Sequence, residues 1–187
     1  MKNPHTLAVQ QSHTELVEAC KRGDRRAMEK IYRMYARALF NTAYRITGDF
    51  HYAEDVMHEA FIKAFEHMDA YRGDAPLGAW LKRIAVNESL QWLKKYRRYE
   101  TDRDEWPEMA AEDESPPDDT WQTEDKKRLA EALMKLNPRY RTVLSLHYIE
   151  GYDLQETASI MDISYANVRT LLTRAKQQLK KILEHER

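Results

Sequence analysis

The chain has 187 residues, 42% hydrophobic and 33% charged, with a net charge of −1, which leaves room for one ordinary domain or two small ones under a heavily charged surface. A single cysteine, Cys20, excludes an internal disulfide and fits a reducing compartment. No run approaches the roughly 20 apolar residues of a membrane helix, and MKNPHTLAVQQSHTELVEAC at the start has no signal-peptide core, so a cytoplasmic protein without membrane insertion is expected.

Five glycines and few β-branched runs favour helix over sheet. Four helices are predicted before residue 100. The first covers about Thr14–Cys20. The second, Arg25–Thr47, repeats Ile31, Tyr35, Ala38/Leu39 and Thr42/Ala43 at helical spacing and is stopped by Gly48 and Asp49. The third runs from about Tyr52 to Met68, with Val56, Ala60 and Ala64 on one stripe and Met57, Phe61 and Phe65 beside it. The fourth begins near Pro76, which suits a first helical turn, has Asp74 as its candidate cap, and reaches about Tyr99.

The fourth helix and the turn before it read YRGDAPLGAWLKRIAVNESLQWLKKYRR, from Tyr71 to Arg98. Trp80, Leu81, Ile84, Trp92 and Leu93 alternate with Lys82, Arg83, Lys94, Lys95, Arg97 and Arg98. Aromatics beside cations suit single-stranded or melting nucleic acid, because bases stack on rings while cations hold the backbone. A flipped base also needs a receiving loop, and YRGDAPLG supplies one. The plainer alternative puts Trp80 and Ile84 in a core and leaves the cations solvated. Trp80 is expected to be partly core in either case.

Residues 100–125 carry 12 acidic residues, one basic residue and three prolines, the composition of an acidic flexible linker. The flanking blocks, 1–99 (17 basic, 12 acidic) and 126–187 (12 basic, 7 acidic), each come to +5. Such segregation points to a polyanion partner for the blocks. The modest charge of each block, opposed by the linker, predicts weak DNA binding by the free protein. Trp106 and Trp121 are unusual in a plain tether.

Four shorter helices follow. One covers about Glu124–Lys135. Asn137 caps the next, with Pro138 at its first position and Gly151 ending it after Ile149. Asp153 to Glu156 is a capping-box-like start for a third, which runs to Met161. Ser164 caps the fourth, which runs to about Glu184. Only Asp162 and Ile163 separate the last two from cap to end, the pattern of a helix-turn-helix. That turn favours Gly or Asn for a left-handed backbone, though Asp tolerates it. In the last helix Val168, Leu171/Leu172, Ala175, Leu179 and Ile182 should face inward. Tyr165, Ala166, Asn167, Arg169, Thr170 and Thr173 are candidate base readers, and Arg174 and Lys176 candidate phosphate contacts. The rival reading is an ordinary amphipathic helix with solvated charges.

Both blocks resemble one family. AEDVMHEAFIKAF…YRGDAPLGAWLKRIAVN, an acidic linker and LNPRYRTVLSLHYIEGYDLQETASIMDISYANVRTLLTRAK together resemble a bacterial RNA polymerase sigma factor, in the two-domain layout of the extracytoplasmic-function group. The resemblance implies an all-α protein: an N-terminal helical bundle (10–99) for core polymerase docking and −10 recognition, the linker (100–125), and a C-terminal four-helix domain with helix-turn-helix (126–187) for −35 recognition. It implies that Asp55, His58, Glu59 and Ile62 dock on the β′ clamp helices, with His58 where the family usually has Gln. Tyr71, Arg72, Gly73 and Asp74 fall in the loop that captures a flipped −10 base. Trp80, Lys82, Arg83, Asn87, Gln91, Lys94 and Lys95 belong to the helix that reads and melts −10 DNA. Ser164, Tyr165, Ala166, Asn167, Arg169, Thr170, Thr173, Arg174 and Lys176 form the −35 set, in a domain that also docks on the β flap. Partners implied are core RNA polymerase, promoter DNA and an anti-sigma factor.

Rival classes fit less of the chain. A plain DNA-binding regulator leaves the first block idle and would usually dimerise on a palindrome. HEAFI at His58–Ile62 begins like a zinc-protease helix, but Ile62 stands where the second histidine belongs. No phosphate loop, nucleophile elbow or cysteine pair occurs, so no catalytic residue, metal or cofactor is expected. The RGD at Arg72–Asp74 has no adhesive use in a cytosolic chain.

Overall fold

The computed structural model describes residues 4–99 and 124–185, so the predicted linker, with Trp106 and Trp121, lies outside the described residues. Helices α1 (Pro4–Lys21), α2 (Arg25–Thr47), α3 (Phe50–Glu66) and α4 (Leu77–Tyr99) form the first unit, with a 3-10 turn at Met68–Ala70. Helices α5 (Glu124–Met134), α6 (Pro138–Leu144), α7 (Leu154–Met161) and α8 (Tyr165–His185) form the second, with a π turn at Ser145–Ile149. Among the described residues there is no strand.

Local signals set most of these ends. Asp24 accepts from the Arg26 and Ala27 amides at the start of α2, and Gly48, at φ 81°, closes it by bonding the Tyr44 carbonyl. Asp49, expected to help stop α2, instead caps α3 through the Tyr52 amide, so α3 begins at Phe50. Helix α1 starts well before Thr14, at Pro4. Pro76 lies one residue before α4: its carbonyl accepts from Ala79 and Trp80, so it occupies the capping position in place of Asp74. Asn137 caps α6 with Pro138 at the first position, as expected. Beyond Leu144 that helix widens into the π turn, closed by Glu150 N–H to the Ser145 carbonyl.

The first core is built from Val17, Ala27, Ile31, Leu39, Met57, Ala60, Phe61, Ala64, Leu77, Leu81 and Ala85, which are the inward stripes of α1 to α4. The second gathers Leu133, Leu136, Val143, Leu144, Ala158, Val168, Leu172 and Ala175. A third cluster joins the units: Ile46, Val86 and Leu93 of the first meet Leu146 and Ile160 of the second.

Polar contacts reinforce that junction. The Arg141 guanidinium is buried and donates to four carbonyls: Arg45 (2.8 Å) and Ile46 (3.3 Å) at the end of α2, Met134 (3.1 Å) and Leu136 (3.3 Å) at the end of α5. Helix C-termini carry partial negative charge and orphan carbonyls, so this cation serves both. Burial pushes its pKa down to about 10, which leaves it charged at neutral pH. The Glu150 side chain, 3% exposed, receives Arg45 (2.6 Å) on one oxygen and Lys82 (2.9 Å) on the other, and Thr42 donates to it at 2.9 Å.

Candidate polymerase and nucleic-acid interface

The expected docking residues come together. Asp55, His58, Glu59 and Ile62 stand at i, i+3, i+4 and i+7 on α3 and are all exposed. Ile62 is 51% exposed, an apolar side chain that the core leaves out. His58 is held in place: its Nε2 lies 3.3 Å from the Tyr32 hydroxyl, and the two rings are stacked. Glu59 is steadied by Lys63, which is shared with Glu88 of α4 at 2.6 Å. A groove between α3 and α4 brings Asp55 and Glu59 alongside Gln91, Lys94 and Lys95.

The loop before α4 is ordered by Tyr71, whose hydroxyl donates to the Ala75 carbonyl at 2.7 Å and whose ring lies 5.3 Å from that of Trp80. Burial, aided by the Asp74 carboxylate, pushes the Tyr71 hydroxyl up. Arg72, Gly73 and Asp74 are exposed at the tip, with Gly73 at φ 81°. Trp80 packs half-buried on the first core, as expected.

Along α4, Trp80, Asn87 and Gln91 share one stripe at i, i+7 and i+11, and Asn87 and Gln91 are exposed. Lys82 does not share it: two residues on, it is about 200° round the helix and ends on Glu150. The Arg83 guanidinium lies 5.2 Å above the Tyr152 ring, and Lys94 pairs with Asp162 at 3.6 Å. The second unit therefore covers one flank of the helix predicted to read DNA. Sequence reasoning missed Arg45, Arg141, Glu150 and Tyr152, because contacts 68 to 105 residues apart leave no periodic trace.

The helix-turn-helix is formed as its sequence implies. Asp153 and Glu156 make a reciprocal capping box at the start of α7. Asp162 adopts φ 56°, ψ 47°, the left-handed turn residue. The Ser164 hydroxyl accepts from the Asn167 amide at 3.2 Å and starts α8. Val168, Leu172 and Ala175 are buried, with Leu171, Leu179 and Ile182 packed around them. Tyr165, Ala166, Asn167, Arg169, Thr170, Thr173, Arg174 and Lys176 are all exposed. Thr170 and Thr173 bond their hydroxyls to carbonyls one turn back, which fixes their rotamers. Lys176 lies 4.8 Å over the Tyr148 ring, and a shallow groove runs from His147 and Tyr148 across Arg169, Thr170 and Thr173. Among the described residues no group of three or more His, Cys, Asp or Glu side chains is placed to hold a metal, and no described helix is long and apolar enough to cross a membrane.

One helical unit thus ends in an exposed helix-turn-helix and the other in an aromatic and basic helix, the surfaces of a nucleic-acid-binding protein. Residues 31–99 match the Sigma-70 region 2 family and residues 126–179 the Sigma-70, region 4 family. The ECF RNA polymerase sigma factor SigM of Bacillus subtilis is 30% identical over 155 residues, 82% of this chain and 93% of its own. SigW of the same organism is 29% identical over 176 residues, 89% and 94% of the two chains. Among solved structures, the sigma factor RpoE in complex with the anti-sigma factor NepR from Bartonella quintana aligns at TM-score 0.60 and 22% identity, over 85% of this chain and 98% of that one. The chain belongs to the extracytoplasmic-function group of sigma-70 RNA polymerase sigma factors, which direct transcription initiation from specific promoters.

Proposed function

We propose that the two units divide promoter recognition. Residues 10–99 dock on core polymerase through Asp55, His58, Glu59 and Ile62 against the β′ clamp helices. The Tyr71–Asp74 loop captures a flipped base of the −10 element, and Trp80, Arg83, Asn87, Gln91, Lys94 and Lys95 line the melted strand. Lys82 lies off that stripe and reaches DNA only after leaving Glu150. Residues 126–187 read the −35 duplex with Tyr165, Ala166, Asn167, Arg169, Thr170 and Thr173, while Ser164 holds the helix start and Arg174 and Lys176 take phosphates. The same domain docks on the β flap, and residues 100–125 connect the two. The protein works in the cytoplasm without cofactor or catalytic residue of its own, under an anti-sigma factor like those bound to its structural relatives.

The observation that carries this reading is the uniform exposure of one face of α8. A duplex contacted through Arg and Lys binds with an affinity that falls steeply with salt. Unstacking at −10 costs a few kcal/mol and is offset by the base pocket and backbone contacts.

Reconstitution tests it. Purified protein added to sigma-free core polymerase should give discrete transcript 5′ ends sharing spaced −35 and −10 motifs, and Asn87→Ala should weaken opening at those starts. No core binding, alongside sequence-specific duplex binding by the protein alone, would leave a plain DNA-binding regulator instead.

A further inference from the structure

The loop before α4 is held by a side chain where backbone bonds are missing. Among the described residues, no backbone carbonyl accepts from the amides of Arg72, Gly73, Asp74 or Ala75, and the hydrogen bond that crosses this loop runs from the Tyr71 hydroxyl to the Ala75 carbonyl, at 2.7 Å. We propose that Tyr71 is a positioning residue for the flipped base: its hydroxyl holds the capture loop in its binding shape before DNA arrives, and the base itself is met by the tip, Arg72 to Asp74. The inference rests on the capture role given to this loop above.

Both ends of that bond are fixed. The Tyr71 ring packs on the first core, its centroid 5.3 Å from that of Trp80 and the two planes at 49°, a tilted pair that sets the orientation of both rings. Tyr35 packs on the same core, and Gly78 in the first turn of α4 lies so near it that a Cβ there would come within 2.8 Å of the ring edge. The turn that carries the far side of the loop is thus seated directly on Tyr35, whose own hydroxyl lies 3.5 Å from His13 Nε2 on α1. Burial and the Asp74 carboxylate raise the Tyr71 hydroxyl, so it keeps the proton that it donates.

What this strut holds up is the tip. Arg72, Gly73 and Asp74 are exposed, and Gly73 makes the turn at φ 81°. Their amides are donors without a backbone partner, and the Asp74 carboxylate and Arg72 guanidinium add an acceptor and a forked donor, the kinds of group that meet base edges and phosphates. The Tyr71 hydroxyl is already bonded to a carbonyl and is the poorer base contact. A loop without backbone bonds of its own would otherwise have to be ordered at every encounter, which weakens binding, and a bond made beforehand removes that cost.

Tyr71→Phe keeps the ring and removes only the hydroxyl, so the fold is retained. The reconstituted holoenzyme is titrated with fork-junction DNA carrying an abasic site at successive −10 positions, and the captured base is the one whose removal costs the parent most. At that position Tyr71→Phe should bind the preferred base about 5-fold more weakly than the parent does, the scale of one lost hydrogen bond, and bind the abasic fork as the parent does. In the free protein, trypsin should cut after Arg72 faster in Tyr71→Phe, because the loop opens more often. A variant that discriminates base from abasic site as well as the parent overturns the proposal. Equal losses on both forks overturn it too, since the hydroxyl would then serve the strand or the fold and not the base. Equal cleavage after Arg72 overturns the loop-holding role. A parent holoenzyme indifferent to abasic sites throughout the −10 element removes the capture reading itself, and the strut with it.

Discussion

At the scale of single residues, Gly48 and Arg141 fit one another. Gly48 lies at φ 81°, and a Cβ there would collide with the Arg141 guanidinium. Gly23 lies at φ 80° with nothing near its missing Cβ. The pair separates backbone strain from collision. Gly23→Ala should cost about 1 kcal/mol from the left-handed backbone alone. Gly48→Ala should cost distinctly more, about 3 kcal/mol, because the guanidinium is pushed off carbonyls that then stay buried and unpaired. Urea unfolding of the two variants checks this, and equal losses would mean that Arg141 moves aside freely. Gly48 was legible in the sequence as a helix stop, and Asp162 as the one awkward turn residue. Arg141 was not: in LNPRYRTVLSLHY it looks like any helical cation, and only the meeting of two distant helix ends explains its burial.

Helices were the most legible level, because their ends are fixed by neighbours in sequence. The capping box of α7, the Asn137-Pro138 start of α6 and the Ser164 start of α8 all formed where their residues stand. The π turn had no such signature, and neither did the replacement of Asp74 by the Pro76 carbonyl at the start of α4. Ser164→Ala removes one capping bond from the helix that carries the proposed −35 readers and should cost about 1 kcal/mol. On the same helix the two kinds of DNA contact should separate. Arg169→Ala should cost about 1–3 kcal/mol and relax base preference at one position, whereas Arg174→Ala should weaken all sequences alike and lower the salt slope by about 1. Titration of −35 duplexes with the holoenzyme over a range of salt distinguishes them. A uniform loss from Arg169→Ala would reassign it to phosphate.

At the scale of the whole molecule, the junction between units was invisible in sequence because its charges are spread from Arg45 to Asp162 and its apolar part reads as ordinary core. It nonetheless makes stability depend on pH in a direction the structure fixes. Burial would raise the Glu150 carboxyl, but the hydrogen bonds and charges of Lys82 and Arg45 outweigh it and hold the group below its ordinary value of 4.5. A carboxyl lower in the folded than in the unfolded chain stabilises the fold fully above the unfolded value, and that contribution is lost as pH falls through the folded one. Glutamine at this position keeps one accepting oxygen, for Arg45 or for Lys82, turns an amide NH2 toward the other cation, and has no proton to gain. Between about pH 5 and 3, the unfolding free energy of the parent protein should therefore fall more steeply than that of Glu150→Gln. Parallel slopes would place the acid response on other carboxylates and leave Glu150 a hydrogen-bond acceptor whose charge the junction does not need.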